Sequence, residues 1–257
     1  MDEPTAPRTP AAATVELDRY DAVLFDLDGV LTSTATLHTA CWKRVFDDFL
    51  TEWTQSTGES QPEFDPGADY LRFVDGKPRA AGVRDFLASR GIALPEAEHD
   101  AEPGAGSIQA VANTKQVLVA HELDAGNVEA FPGSIAWVRE LHEGGLRTAV
   151  VSSSENCRAV LAAAGIDELF EEVVDGTVAR ELSLPGKPAP DTFLEAASRL
   201  GVEPGRAVVV EDALVGVAAG RAGGFGLVVG VARTAAPSDL QEHGADIVVA
   251  DLEEMLR

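Results

Sequence analysis

Two carboxylates one residue apart, Asp26 and Asp28, follow directly on the apolar run Ala22 to Phe25, and Gly29 comes next. A parallel strand covered on both faces is continuously apolar, and in open α/β sheets the reactive crevice lies just outside the carboxyl ends of the strands. The pair therefore reads as acid groups delivered to such an edge, with two solvated acids at a strand end as the plainer alternative. A calcium loop shares the Asp-x-Asp-Gly spacing. Here, however, Val30 is apolar where such a loop needs an oxygen ligand, and Leu37 stands where it needs a glutamate.

Three later segments offer matching chemistry. The apolar run Arg147 to Val151 leads into Ser152, Ser153 and Ser154, with Asn156 just beyond. A hydroxyl there, beside the free amides of a following helix, suits phosphate oxygens, although it would equally serve as an N-cap. In Gly186-Lys187-Pro188-Ala189-Pro190-Asp191 two prolines stiffen the chain after the lysine. That fixes the ammonium's approach and leaves Asp191 to cap the next helix; a solvated lysine is the alternative. Finally, Val208 to Val210 ends in Glu211 and Asp212. Adjacent acids in a partly buried crevice repel by several kcal/mol unless a cation lies between them. With Asp26 and Asp28 nearby, a hard divalent ion is expected, and oxygen-only ligands favour Mg²⁺.

These segments need a parallel sheet to bring them together. From Phe131 onward, helix-like and strand-like segments alternate, each helix stopped by glycine, as in βαβ units. The spacing predicts strands at Tyr20 to Asp28, Arg147 to Val151, Glu172 to Val174, Ala207 to Val210, Leu227 to Val229 and Ile247 to Val249. Helices are predicted at Gly133 to Glu143, Cys157 to Ala164, Asp191 to Leu200 and Leu214 to Ala222. Between Ser33 and about Asn127 the period is helical: Leu37, Cys41, Val45 and Phe49 recur at steps of four, and Ile108, Val111, Val117 and Leu118 follow a second helical face. Two polar stretches, Thr54 to Gly67 and Leu94 to Gly106, are expected to be loops. The expected organisation is a tail at 1–18, an α/β core from 19–32 and 129–257, and an all-helical insertion at 33–128.

A chain of 257 residues can bury a large core and carry a second lobe. Its formal charge of −23 argues against nucleic acid or an anionic membrane as partner. An anionic substrate then needs local cations, and the only lysines are Lys43, Lys77, Lys115 and Lys187. With no spanning-length apolar run and two cysteines, Cys41 and Cys157, lacking ligand spacing, a cytoplasmic protein with reduced thiols is expected.

Asp26-Leu-Asp28-Gly-Val, Ser152, GKPAPD and Glu211-Asp212, in that order, resemble the four motifs of the haloacid dehalogenase superfamily, and the resemblance covers the chain from Tyr20 onward. It implies a Rossmann-like doubly wound parallel sheet with an inserted helical cap. It further implies that Asp26 is the nucleophile, Asp28 the general acid and base, Ser152 a phosphoryl ligand and Lys187 a charge-neutralising group. Asp26, Glu211 and Asp212 would hold Mg²⁺ through carboxylates and Asp28 through its backbone carbonyl. The second aspartate argues against dehalogenation, because a leaving oxygen needs an acid and a halide does not.

Thr34, His38 and Trp42 lie at steps of four, and they resemble residues that couple cap closure to Asp28 in the β-phosphoglucomutase-like subfamily, though a buried helix face would show the same spacing. The segment Val74 to Arg79, with Gly76, resembles that subfamily's cap loop, in which Arg79 would grip a distal phosphate; Asp75 stands where a basic residue is frequent. Lys115 resembles a substrate-contacting cap lysine, and Ser153 and Asn156 belong to the second motif. The resemblance therefore implies conversion of β-glucose 1-phosphate to glucose 6-phosphate, with a sugar-phosphate phosphatase as the near alternative and a non-catalytic binding protein as the distant one. The oligomeric state is left open.

Overall fold

A computed structural model describes residues 17–124 and 128–257 of the chain. Residues 1–16, most of the expected tail, and 125–127, where the helical insertion is expected to end, lie outside the described residues. Leu17 and Asp18 do not belong to a tail: Leu17–Arg19 forms a 3₁₀ turn with Leu17 buried.

Six parallel strands form one sheet: β1 (Ala22–Phe25), β2 (Arg147–Val151), β3 (Glu172–Val174), β4 (Ala207–Glu211), β5 (Leu227–Val231) and β6 (Ile247–Val249), in spatial order β3-β2-β1-β4-β5-β6. The chain builds outward from β1 on one side, then returns to lay β4 on the other. That is the topological switch point at which ligands bind in doubly wound sheets. The register pairs Phe25 with Val150 on β2 and with Val210 on β4. One step further along, Asp26 is therefore level with Val151 and Glu211, and its amide donates to the Val210 carbonyl at 2.9 Å.

Alternation along β1 feeds two cores. Val23 and Phe25 pack with Val150, Val208 and Val210 against Trp137 and Leu141 of α4 (Pro132–Glu143), Phe25 meeting Trp137 edge-on at 5.6 Å. Ala22 and Leu24 face the other way, onto Phe193, Ala196 and Ala197 of α7 (Asp191–Arg199). The remaining core helices are α5 (Cys157–Ala163), α6 (Gly176–Glu181), α8 (Leu214–Ala222) and α9 (Pro237–His243). The sequence reading predicted neither α6 nor α9.

The first strand is shorter than expected. Beyond Phe25 the ladder gives way to a tight loop in which Leu31 and Thr32 donate to the Leu27 carbonyl, and Gly29 takes a φ of +87°. Asp28 thus stands on a loop above the sheet.

Between β1 and α4 comes the helical cap: α1 (Ala35–Thr57), a π-helical turn (Tyr70–Val74), α2 (Arg79–Ser89) and α3 (Ile108–Asp124). Its own core stacks Trp42 on Phe46 at 5.0 Å, with Phe64 and Phe86 closing around Phe46. The expected loop at 54–67 begins too early, because α1 continues to Thr57. The hydroxyls of Thr54 and Thr57 bond back to the carbonyls of Leu50 and Trp53 at 2.8 Å each, which satisfies these polar side chains within the helix. The 94–106 stretch is irregular as expected. Val117 departs from its assigned face and is 55% exposed.

Because the cap has a separate apolar core, truncating it should weaken the fold without touching the sheet. Phe46→Ala is expected to cost about 3–5 kcal/mol, the usual cost for a fully buried aromatic, measured as a lowered urea midpoint.

Candidate active site

Lys187, buried at the carboxyl edge of the sheet, spends its three donors on Asp26 Oδ1 at 2.5 Å, Glu211 Oε1 at 2.5 Å and the Val151 carbonyl at 3.2 Å. An ammonium has three protons, so this geometry satisfies it completely. Two glycines make room for the acids. A Cβ on Gly216 would lie 1.8 Å from Glu211 Oε1, and one on Gly29 would lie 1.9 Å from Asp212 Oδ2. Glu211 also accepts from the Ala213 amide at 3.0 Å.

The expected repulsion among adjacent acids is thus partly met from within the chain, since the cation between Asp26 and Glu211 is Lys187 itself. Asp212 has no such relief: it is buried, and among the described residues no cation pairs with it. Burial holds its carboxyl well above the usual carboxylate range, and Asp75, Glu211 and Asp26 push the same way. Burial also raises Asp26, against the pull of Lys187. Oxygens of Asp26, Glu211 and Asp212 all lie within 4.8 Å of one another. An under-compensated, all-oxygen cluster of this kind fits a hard divalent cation.

Asp28 is held from the cap. Thr34 precedes α1 but makes no side-chain cap bond; its hydroxyl donates to Asp28 Oδ1 instead. His38 Nε2 lies 3.2 Å from the same oxygen, and Lys115 Nζ reaches His38 Nδ1 at 2.6 Å. An ammonium can only donate, so Nδ1 is the acceptor, while Nε2 faces the Asp28 carboxylate without a hydrogen bond to it. Lys115 also lies 5.1 Å above the Trp42 ring. Burial alone would raise Asp28, but His38, Thr34 and Lys115 outweigh it and hold the carboxyl at about 2. Burial brings Lys115 down to about 8, with Asp28 opposing.

The space enclosed between these groups is a cavity of about 60 Å³, walled by Asp26, Asp28, Tyr70, Asp75, Ser152 and Asp212 among others, with Gly76 and Arg79 from the cap. That is room for two waters or so, far below a typical ligand pocket. The cap is closed.

The other assignments divide. Ser152 is buried at the floor, its Oγ accepting from the Ser154 amide at 3.1 Å. Ser153 lines the cavity but donates to the Gly76 carbonyl at 2.8 Å. Gly76 has a φ of +67°, and a Cβ there would meet Ala213 and Val215 at 2.8 Å. Asn156 does not join the site: its amide is occupied by Gln116 of α3 and it is absent from the cavity wall. The sequence showed the helix behind Gln116 but not that the two residues would meet.

A family model described as haloacid dehalogenase-like hydrolase matches residues 20–224. The chain belongs to this family. A haloacid dehalogenase-like relative, the β-phosphoglucomutase of Mycobacterium tuberculosis, is 49% identical over 242 residues, covering 93% of this chain and 92% of its own. Hexitol phosphatase A of Escherichia coli is 28% identical over 92% of this chain and 94% of its own. A β-phosphoglucomutase structure from Clostridium difficile superposes with a TM-score of 0.70 at 22% identity, covering 92% of this chain and 93% of that one, which shows the shared fold.

Four residues at or beside this family site escaped the sequence reading as contributors. Tyr70 and Asp75 enter the cavity from the π-helical turn, and burial, with Glu211 reinforcing it, lifts Asp75 to about 7. Glu155 and His99 meet across the cap–core boundary at 2.8 Å. Only Asp75 carried a signal, as an acid where the resembled loop is usually basic.

The glycine cradle gives a direct test. In a helix interior Gly→Ala normally stabilises by about 0.5–1 kcal/mol. Gly216→Ala is instead expected to destabilise by about 1–3 kcal/mol in urea melts, because its Cβ displaces the Glu211 carboxylate.

Proposed function

We propose that this chain is a phosphomutase that converts β-glucose 1-phosphate to glucose 6-phosphate through an aspartyl phosphate on Asp26. One observation carries the reading: the environment of Asp28, a core residue, is completed by His38 and Lys115 from the cap. The proton-transfer group is thereby set only when the cavity has closed and water is nearly excluded. A mutase needs that arrangement, since its aspartyl phosphate must survive until a sugar hydroxyl takes it. The 49% identical β-phosphoglucomutase supports the choice of sugar.

In this mechanism Asp28, ionised at neutral pH, takes the proton of a sugar hydroxyl as that oxygen attacks the aspartyl phosphate and the bond to Asp26 breaks. In the other half-reaction Asp28 gives the same proton to the leaving sugar oxygen as an Asp26 oxygen attacks phosphorus in line and re-forms the aspartyl phosphate. Lys187 absorbs charge on Asp26 and the phosphoryl oxygens, and Ser152 binds those oxygens at the floor. Thr34, His38 and Trp42 seat the cap on Asp28, while Gly76, Arg79, Lys115 and Ser153 face the sugar phosphate. Asp26, Glu211 and Asp212, with the Asp28 backbone carbonyl, would hold Mg²⁺; Glu211 is the weakest of these donors because Lys187 and Ala213 already occupy it. When bound, Mg²⁺ supplies positive charge to the phosphoryl oxygens. No helix of the described residues is long and apolar enough to cross a membrane, and the strong negative charge disfavours nucleic acid. The buried free thiols of Cys41 and Cys157 support a cytoplasmic setting.

Two outcomes check this reading. With β-glucose 1-phosphate and a trace of bisphosphate, glucose 6-phosphate is expected to form faster than free phosphate, and Asp26→Asn to reduce both by at least about 10³-fold. Dominant phosphate release would make the chain a phosphatase, and activity surviving in Asp26→Asn would exclude the aspartyl phosphate. Lys115→Met removes a charge that lowers Asp28, so the pH below which activity falls should move upward; an unmoved acid limb would separate Lys115 from Asp28.

A further inference from the structure

Glu155, on the loop after β2, joins three elements through one carboxylate. Its Oε2 accepts from Arg79 Nη2 at 3.1 Å, at the start of α2, while Oε1 accepts from Arg180 Nη1 of α6 at 3.1 Å and meets His99 Nε2 at 2.8 Å. Arg180 also touches the His99 ring. The backbone beneath Glu155 is fixed by close packing: a Cβ on Gly176 would lie 2.7 Å from the Ser153 carbonyl and 3.0 Å from the Glu155 amide.

His99 belongs to the irregular 92–107 stretch of the cap, and that stretch is tied to α3. Asn113 donates to the carbonyls of His99 and Ala101 at 2.9 and 2.7 Å, and the Gly104 amide donates to Thr114 at 2.9 Å. The same helix carries Lys115, which faces His38, and Gln116, which binds Asn156 of the core. The loop is therefore a strap held by the cap at one side and by Glu155 at the other.

Arg79 is the member of this cluster that faces the reaction cavity, and it is only half-satisfied. Its side chain is 11% exposed, Glu155 engages one end, and its Nε is buried with no partner. A guanidinium held on one edge by a fixed carboxylate presents its remaining donors in a set direction. Arg79 and Glu155 also line a second cavity of about 210 Å³, into which an unheld Arg79 could turn.

We propose that Glu155 is a positioning residue: it aims Arg79 at the substrate's distal phosphate, and the 92–107 strap, through His99, locks Glu155 when the cap closes. This rests on the sugar-phosphate reading above. The strap thereby acquires a role in keeping water from the reacting phosphoryl group, since closure and the aim of Arg79 share one anchor. His99 and Arg180 are 45% and 42% exposed, so each adds little alone, and the anchor works through their convergence on Glu155.

The test compares Glu155→Ala, Glu155→Gln, His99→Ala and Arg180→Ala for kcat, KM and the ratio of phosphate release to isomer formation, alongside thermal melts and hydrogen exchange in 92–107. Glu155→Ala is expected to raise KM and the release ratio each by about 5–10-fold with kcat within about 3-fold, and His99→Ala to do the same by about 2–3-fold with faster exchange in the strap. Glu155→Gln, which keeps the shape, should fall between. Unchanged KM and ratio at unchanged melting temperature would overturn the proposal. A fall in KM would also overturn it, by making Glu155 a competitor of the phosphate for Arg79. Should Glu155→Ala not fold, the two exposed-site variants decide alone. If the wild type only releases phosphate, the mutase reading fails separately, and KM for that release together with strap exchange still decides the role of Glu155.

Discussion

Burying several carboxylates at one sheet edge is costly unless each finds a counter-charge, and this constraint organises the whole site. Lys187 settles Asp26 and Glu211 with three donors and no slack. Gly29 and Gly216 give up side chains so that Asp212 and Glu211 can fit. What remains is Asp212, pushed up by burial and left without a cation among the described residues, an imbalance that a divalent ion would relieve. A divalent ion would thus complement the lysine, which reaches Asp26 and Glu211, by adding charge beside Asp212.

A second constraint joins the cap to the core. Asp28 belongs to the sheet edge, yet the groups that keep it ionised arrive from α1 and α3. Chemistry and closure are therefore linked by Coulomb's law as well as by shape: with the cap lifted, Asp28 loses His38 and Lys115 together. The space left between cap and core, about 60 Å³, is small for a ligand, so a bulky substrate would need the cap to move.

The core of this arrangement was legible in the sequence because buried parallel strands leave an unambiguous trace. Ala22–Phe25, Arg147–Val151 and Ala207–Glu211 are apolar runs that end in reactive groups, and a doubly wound order can only bring those ends together. Thr34, His38 and Trp42 were legible through helical spacing joined to a family resemblance. Contacts between cap and core were not. Glu155 lies 56 positions from His99 and 76 from Arg79, and no periodicity relates residues that meet only when two lobes close. The contact of Asn156 with Gln116 was illegible for the same reason, since the two are 40 positions apart.

Calorimetric titration of Mg²⁺ into the wild type and Asp212→Asn, near pH 6 and in two buffers of different ionisation enthalpy, probes the buried charge imbalance itself. One ion should bind the wild type with release of protons, because burial pushes the Asp26 and Asp212 carboxyls up in its absence. Asp212→Asn should bind about tenfold or more weakly and release fewer protons. Equal affinity in the two proteins, or binding with no proton release, would mean that the acids at this edge are already balanced and that the site is built on some other principle.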